Sequence, residues 1–243
     1  MGHVPHVYVA PPWDSASGGA DATLALDDQV LHHLEKVLRR TSGAVTYTDG
    51  LGTVGSGRFE SGRLRRGDER LQPASIPQVT VAVAPPQRTE RVRYLVEKLA
   101  ELGVARIRWV RTARTVGRPP PAAKAAAWAL GALEQSRGAH LLDVEGTFDP
   151  VSSVSSGTAG LVEGGGVVYA DAGGGPVEMG WIHDVHGSLR DHLTVVIGPE
   201  GGLADDEIPP QATRLGLGDR ILRTETAAVV AAALVLEAAR RAG

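Results

Sequence analysis

The sequence predicts an α/β protein in which a small β-barrel precedes a mostly parallel sheet covered by helices. Three observations carry this. Up to about Pro77 the apolar residues alternate in short runs between turn signals. From Val79 onward apolar runs of strand length alternate with amphipathic stretches of helical length. Strands alternating with helices imply crossover connections, and those force neighbouring strands to run parallel with both sheet faces buried. The expected division is residues 1–77 for the barrel and 78–243 for the α/β part.

In the first block, Val7-Tyr8-Val9 and Val45-Thr46-Tyr47 read as strands. Asp49-Gly50, Gly55-Ser56-Gly57 and Arg66-Gly67-Asp68 read as turns. One helix interrupts them from Asp27 to Arg40, with Val30, Leu31, Leu34, Val37 and Leu38 at helical spacing and Asp27 or Asp28 as its cap. In the second block Val79–Ala84 is a buried strand. Arg88–Leu102 is an amphipathic helix stopped by Gly103, and Ile107–Val110 is a strand. Ala122–Arg137 is helical, and Val167–Ala170 and Leu193–Ile197 are strands. Asp205 opens a short helix halted by Pro209-Pro210, a strand ends at Leu222, and Thr226–Ala242 is the last helix. The Ser- and Gly-rich stretch 151–166 reads as a surface loop.

The 243 residues contain no cysteine, which excludes disulfides, iron–sulfur clusters and cysteine-held zinc. No basic run followed by an apolar stretch opens the chain. The apolar tail is broken by Glu237 and is too short for a bilayer. A cytoplasmic protein with no membrane partner is the expectation. Net charge is −3 but unevenly spread: residues 79–118 hold nine basic against three acidic side chains, and residues 119–243 hold eight against sixteen. A phosphate-binding face needs only local cations, although a solvated arginine-rich face fits the same pattern. His32 and His33 are adjacent, and His183 and His186 have no convergent carboxylate, so no metal site is expected.

Two runs carry chemistry. In Val195–Leu203 a strand ends in Gly198-Pro199-Glu200-Gly201-Gly202. Glycines permit positive φ and close backbone approach to a ligand. Loops at the carboxyl ends of parallel strands are where open sheets bind ligands, although a plain turn would look alike. Neither the Gly-Lys-Ser/Thr of a phosphate loop nor the dinucleotide glycine spacing is present. In Leu215–Ala228 the polar run Arg223-Thr224-Glu225-Thr226 joins an apolar segment to an Ala-rich helix. Thr224 or Thr226 suits a cap and Glu225 suits the first turn. Glu97-Lys98-Leu99-Ala100-Glu101-Leu102-Gly103 and Glu134-Gln135-Ser136-Arg137 read, taken alone, as ordinary helix surfaces.

Together, and in this order, these segments resemble the 16S ribosomal RNA uridine-N3 methyltransferases of the SPOUT superfamily. That resemblance implies a PUA-like barrel that binds RNA, followed by a parallel sheet ending in a trefoil knot. It implies S-adenosylmethionine as cofactor, 16S rRNA of the small ribosomal subunit as partner, a homodimer, and direct displacement at uracil N3. Carried onto this sequence, Ile197, Gly198, Pro199, Glu200, Gly201 and Gly202 line the cofactor's methionine and ribose side. Leu217, Gly218, Ile221 and Leu222 enclose its adenine, beside Arg223 and Thr224. Arg223, Glu225 and Glu200 are the candidate catalytic residues; either glutamate is readable as a base or as structural, and Arg223 as an anion stabiliser or a brace. Arg39, Arg40, Arg63, Arg65 and Arg66 of the barrel, with Arg88, Arg111 and Arg114, are the candidate RNA contacts. The sequence departs from the family pattern at His3 and His6, where arginines are usual, and at Gly138–Leu142, where a basic residue and a proline are. A knotted methyltransferase acting on transfer RNA or on ribose, and a catalytically silent RNA-binding assembly factor, are the competing readings.

Overall fold

The computed structural model describes residues 4–13, 22–37, 39, 41–155, 166–183, 188 and 190–242. The chain divides into two compact units, Met1–Ala74 with Leu130–Leu141, and Ser75–Ala129 with Leu142–Gly243.

The first unit holds β1 (His6–Tyr8), β2 (Thr23–Ala25), α1 (Asp28–His32), β3 (Ser42–Thr48), β4 (Thr53–Glu60) and β5 (Arg63–Leu71). They form one mixed sheet in the order β1-β3-β4-β5-β2, with β1 parallel to β3 and the other pairs antiparallel. The Asp27 carboxylate accepts from Val30 N at 2.8 Å and so caps α1, as the sequence predicts. The helix then widens to a π-type turn over His33–Val37 instead of running as a regular helix to Arg40. Leu38 and Arg40 lie outside the described residues. The β4–β5 hairpin closes through Ser61 (φ 50°) and Gly62 (φ 77°), the paired positive φ that matches strand twist in tight hairpins. Val7, Leu24, Val30, Leu34, Val45, Tyr47, Phe59 and Leu64 form the core.

The second unit contains β6 (Gln78–Val83), α2 (Thr89–Leu102), β7 (Arg106–Arg111), α3 (Ala122–Ser136, whose second half counts with the first unit), β8 (Asp143–Pro150) and α4 (Ser152–Ser155). β9 (Gly166–Gly175), β10 (His192–Ile197), β11 (Thr213–Leu215) and α5 (Thr224–Ala242) follow. The six strands are parallel throughout, in the order β11-β9-β10-β6-β7-β8. Period-two alternation divides the central strands between two faces. Val79, Val81 and Val83 with Leu193, Val195 and Ile197 join a core shared with Leu95 and Leu99 of α2 and with Ala228, Ala231 and Val235 of α5. Ala82 and Val196 face the opposite cluster with Val110, Val154, Tyr169 and Ile208. Both faces are buried, which is why these strands read as unbroken apolar runs.

Gly103 takes φ 81° and ends α2 as expected. A short 3-10 turn at Asp205–Glu207 stands where a short helix was expected. Among the described residues five strands escaped the sequence reading: β2 and β11, each only three residues long, β8, polar enough to look like a loop, and β4 and β5. The turns expected at Gly55-Ser56-Gly57 and Arg66-Gly67-Asp68 are corrected: both lie inside strands, where Gly55 makes room for the Tyr47 ring and Gly57 and Gly67 for neighbouring strand carbonyls. The strand expected to end at Leu222 is corrected: Ile221–Arg223 is irregular, and the strand lies upstream at Thr213–Leu215. Gly216 N donates to Gly175 O at 2.8 Å, and a Cβ on Gly216 would run into the Gly174 carbonyl. Only glycines fit this approach, so the apolar Leu215-Gly-Leu217 run cannot continue as a regular strand.

Candidate active site

A cavity of about 350 Å³ opens at the carboxyl edge of the parallel sheet. Its wall follows from the topology. β10 ends at Ile197, and the chain then turns through Pro199–Gly202, with Gly202 N donating to Pro199 O at 2.8 Å. Gly202 takes φ 75° and Gly218 φ 101°, both in the left-handed region that favours glycine, whereas Gly198 and Gly201 do not. The glycine requirement therefore sits at the last glycine of the loop and on the opposite wall.

Eleven of the twelve expected cofactor residues line this cavity: Ile197, Gly198, Pro199, Glu200, Gly201, Gly202, Leu217, Gly218, Ile221, Leu222 and Thr224. Arg223 is not among the lining residues; it is exposed, and its carbonyl accepts from Ala227 N at 2.8 Å in the first turn of α5. Sequence reasoning missed Ala170, Asp171 and Ala172 at the carboxyl half of β9, Asp219 and Arg220 within the quoted run, and Leu203, Ile208 and Ala227. Asp171 was findable, since carboxyl ends of neighbouring parallel strands share a binding edge. Arg220 is the one cation among the lining residues. Ile221 is 93 % exposed at the rim.

The loop is held from several sides. Thr224 Oγ1 donates to Gly198 O at 3.3 Å, so this hydroxyl serves the loop. Arg114 Nη1 donates to Gly201 O at 2.7 Å. The third brace is ionic: Arg91 on α2 lies 3.4 Å from Glu200 Oε1 and 3.6 Å from Glu225 Oε1. Of the candidate bases, Glu200 lines the cavity and is half-exposed. Glu225 is buried, does not line the cavity, and its Oε2 has no hydrogen-bond partner among the described residues. A buried carboxylate oxygen without a partner is costly in a fold, and the Arg91 guanidinium beside Glu225 Oε1 offsets part of that cost. Arg91, which joins the two glutamates, carries no signal in the sequence beyond a helix-surface arginine.

The other motif residues do ordinary work. Glu97 pairs with Arg93 at 2.7 Å, and Lys98 with Glu101 at 2.7 Å, within α2. In the first unit, Glu134 Oε1 accepts from Tyr8 N at 2.9 Å, and Arg137 Nη2 donates to Val4 O at 2.8 Å. Two positions that depart from the family pattern meet there. His6 Nδ1 lies 2.8 Å from Thr46 Oγ1 and Nε2 lies 3.3 Å from Gly138 O. Burial holds the His6 imidazole below its usual pKa, partly opposed by the Gly138 carbonyl. Ala139 O accepts from Gly52 N at 2.9 Å and Thr48 Oγ1 at 3.2 Å, and Leu141 N donates to Gly50 O at 2.9 Å. His6 and residues 138–141 thus pack the first unit; His3 lies outside the described residues.

The candidate RNA contacts differ among themselves. Arg63 and Arg65 are exposed on one face of β5. Arg66 points to the other face, ion-pairs with Glu69 at 2.7 Å and stacks 5.9 Å from the Trp13 ring centroid. Arg39 is exposed with φ 51°. Arg88 is exposed at the start of α2, and Arg111 lies 5.8 Å from the Phe148 ring centroid. Among the described residues no helix is long and apolar enough to cross a membrane, and no three His, Cys, Asp or Glu side chains cluster as metal ligands would.

Fold and cavity define an α/β protein that takes a small molecule at the carboxyl edge of a parallel sheet. The chain belongs to the RNA methyltransferase family: the sequence profile of the RNA methyltransferase domain matches residues 73–236. No curated protein sequence matches the chain. Among solved structures, the ribosomal RNA small subunit methyltransferase E of Neisseria gonorrhoeae, bound to S-adenosyl methionine, is similar. It shows 24% identity, 95% coverage of this chain and 96% of that one, and a TM-score of 0.75. A protein of Legionella pneumophila, in complex with the bound cofactor SAM, shows 22% identity over 97% and 98% of the two chains, with a TM-score of 0.74. At these identities the likeness is one of fold, and it spans the α/β part and the preceding sheet alike.

Proposed function

We propose that this protein uses S-adenosylmethionine to methylate N3 of a uridine in 16S ribosomal RNA of the small subunit. The observation that carries the cofactor half is the cavity: its polar wall is largely backbone around glycines, and its apolar wall is Ile197, Leu217, Ile221 and Leu222. Such a wall suits a flat adenine and a ribose, which exposed amides and carbonyls hold without dedicated side chains. Arg220, the cation of the lining, suits the methionine carboxylate, and Asp219 suits the amino group. The cofactor supplies an activated methyl group.

The residues of this chain then have three tasks. The loop Gly198–Gly202 and the segment Leu217–Leu222 hold the ligand and exclude water. Uracil N3 must lose a proton, and Glu200 or Glu225 accepts it; Glu200 lines the cavity, whereas Glu225 is buried outside its lining, which favours Glu200. Arg91 lies between the two carboxylates and ties them together. Arg223, exposed beside the site, stabilises the developing uracil anion.

The first unit is the RNA-binding, PUA-like domain of this reading, with Arg39, Arg63 and Arg65 as phosphate contacts and Arg88 and Arg111 adding charge in the second unit. A trefoil knot through the Leu215–Thr224 region, a homodimer and a cytoplasmic location complete the proposal. The homodimer is supported by α5. One stripe (Ala228, Ala231, Ala232, Val235, Ala239) is buried in the monomer, while Leu234 is exposed and Val230 and Ala233 are half-buried. Nucleoside mass spectrometry of 16S rRNA, from cells with and without the gene, tests the reaction: loss of one 3-methyluridine supports it. Loss of a transfer-RNA or ribose methyl group, or no change, overturns it.

A further inference from the structure

Resting on the cofactor reading above, we infer that Arg114 and Glu207 form a clamp that sets the shape of the cofactor loop, so that Arg114 is a positioning residue for cofactor binding. Residues 112–115 follow β7, and the loop follows β10, so the two segments are far apart in sequence and joined only through side chains. Arg114 Nη1 donates to Gly201 O at 2.7 Å and lies 3.4 Å from Leu203 O. Its stem lies over the loop: a Cβ added to Gly201 would meet Arg114 Cδ at 3.3 Å. From the other direction, one carboxylate bridges the segments. Glu207 Oε1 accepts from Ala113 N at 2.6 Å, and Oε2 accepts from Ala204 N at 2.8 Å. Thr112 and Thr115 lock the donor segment, with their hydroxyl oxygens 2.9 Å apart and Thr115 Oγ1 accepting from Thr112 N at 2.9 Å.

The charge pattern explains why these contacts have value. Gly201 and Gly202 lack side chains that would hold the turn by packing, and Gly202 sits at φ 75°. A loop of this composition spends much of its time in other conformations unless something external fixes it. Charge-assisted hydrogen bonds from a guanidinium and to a carboxylate are the stronger kind: here Arg114 donates to the Gly201 carbonyl, and Glu207 ties Ala113 N to Ala204 N just past the loop. An arginine of the basic 79–118 segment, readable from sequence as a phosphate contact, is thereby committed to a carbonyl of its own chain. Its effect belongs to the cofactor, through preorganisation, and not to RNA.

The test uses the full-length protein with Arg114→Ala, Arg114→Lys and Glu207→Gln. Calorimetry should show S-adenosylmethionine bound about tenfold more weakly by Arg114→Ala, with Arg114→Lys recovering part of the loss through an ammonium that keeps the charge and can donate to Gly201 O. KM for S-adenosylmethionine should rise by about the same factor while kcat stays within about twofold, the split expected of lost binding-site organisation. Affinity for a 16S rRNA fragment, and its salt dependence, should be unchanged. Glu207→Gln keeps one acceptor for two amides and should move S-adenosylmethionine affinity in the same direction. Hydrogen exchange without ligand separates this inference from the reading beneath it: amides 201–207 should exchange faster in Arg114→Ala. If the wild type binds no S-adenosylmethionine but exchange changes this way, the cofactor reading fails and the clamp stands. Unchanged exchange and cofactor affinity in Arg114→Ala, with weakened RNA binding, would overturn the clamp and return Arg114 to the RNA contacts.

Discussion

The Gly198–Gly202 loop and strand β5 were both read from sequence as ligand-contacting regions, and their construction is opposite. The loop is almost all backbone, and its shape is imposed by side chains elsewhere: Thr224 on Gly198 O, Arg91 on Glu200 and Arg114 on Gly201 O. β5 is the reverse: the RNA contacts proposed for it are its own side chains, with Arg63 and Arg65 exposed while Leu64 fills the core. A backbone site should fail abruptly when one residue is altered, because no neighbour replaces a lost amide. A charged surface should fail by degrees, because phosphate contacts are screened, additive and individually small.

The largest effect tests the loop side. Glu200→Gln retains shape and removes the proposed base that lines the cavity, and should lower kcat by about a hundredfold or more. If kcat is retained and Glu225→Gln abolishes it, the base is Glu225. Next, Gly202→Val places a branched residue at φ 75°, which costs on the order of 1–3 kcal/mol in strain or forces the turn to change. Cofactor affinity should drop at least about tenfold. Gly201→Val, at a φ that is not positive, meets Arg114 Cδ instead, so combined with Arg114→Ala its effect should come to less than the sum of the two. Equal effects at both glycines would show that bulk, not backbone conformation, governs the loop.

The strand side should respond by degrees. Arg63→Glu and Arg65→Glu should each weaken binding of a 16S rRNA fragment several-fold and flatten the slope of log K against log salt by about one. Cofactor affinity should not move. Arg66 should not behave this way, because it is tied to Glu69. The Arg66 guanidinium hydrogen bond, with help from the Tyr47 hydroxyl at 2.6 Å, holds the Glu69 carboxyl below its usual range. A carboxyl depressed in the fold adds stability that is complete above the unfolded value of 4.5 and is lost as pH falls through the lower folded value. Arg66→Gln should therefore cost less than about 1 kcal/mol at pH 7, since the pair is partly solvated, and less still in acid. Thermal melts at pH 7 and pH 3 measure both. For His6 the direction is the same but the window lies higher. Its imidazole is disfavoured as a cation in the fold, so stability should decline as pH falls below 6.5, and His6→Gln should remove that decline.

How much was legible follows the same division. The parallel core strands and α2 were visible because burial on two faces, or on one stripe, writes itself as apolar periodicity. β8 was not, because Asp143, Glu145, Gly146 and Asp149 satisfy an edge strand without apolar alternation. The loop glycines stood out by composition at the end of an apolar strand, while the Leu217–Leu222 wall came only with the resemblance to the family. Arg91, Arg220 and Glu207 were not, since nothing local distinguishes an arginine that braces a glutamate from one that faces water. The assignment of Arg114 illustrates the limit: a positive segment states how much charge is present, and only the fold states what each charge meets.

The central claim is that the glycine-built cavity at the carboxyl edge of β10 is a cofactor site. Isothermal titration of S-adenosylmethionine into the purified protein, wild type beside Gly202→Val, tests it most directly. The account predicts saturable binding of one ligand per chain by the wild type and at least about tenfold weaker binding by the variant, with both proteins folded. Wild-type protein that binds no S-adenosylmethionine, or a folded Gly202→Val that binds it equally well, would contradict the account.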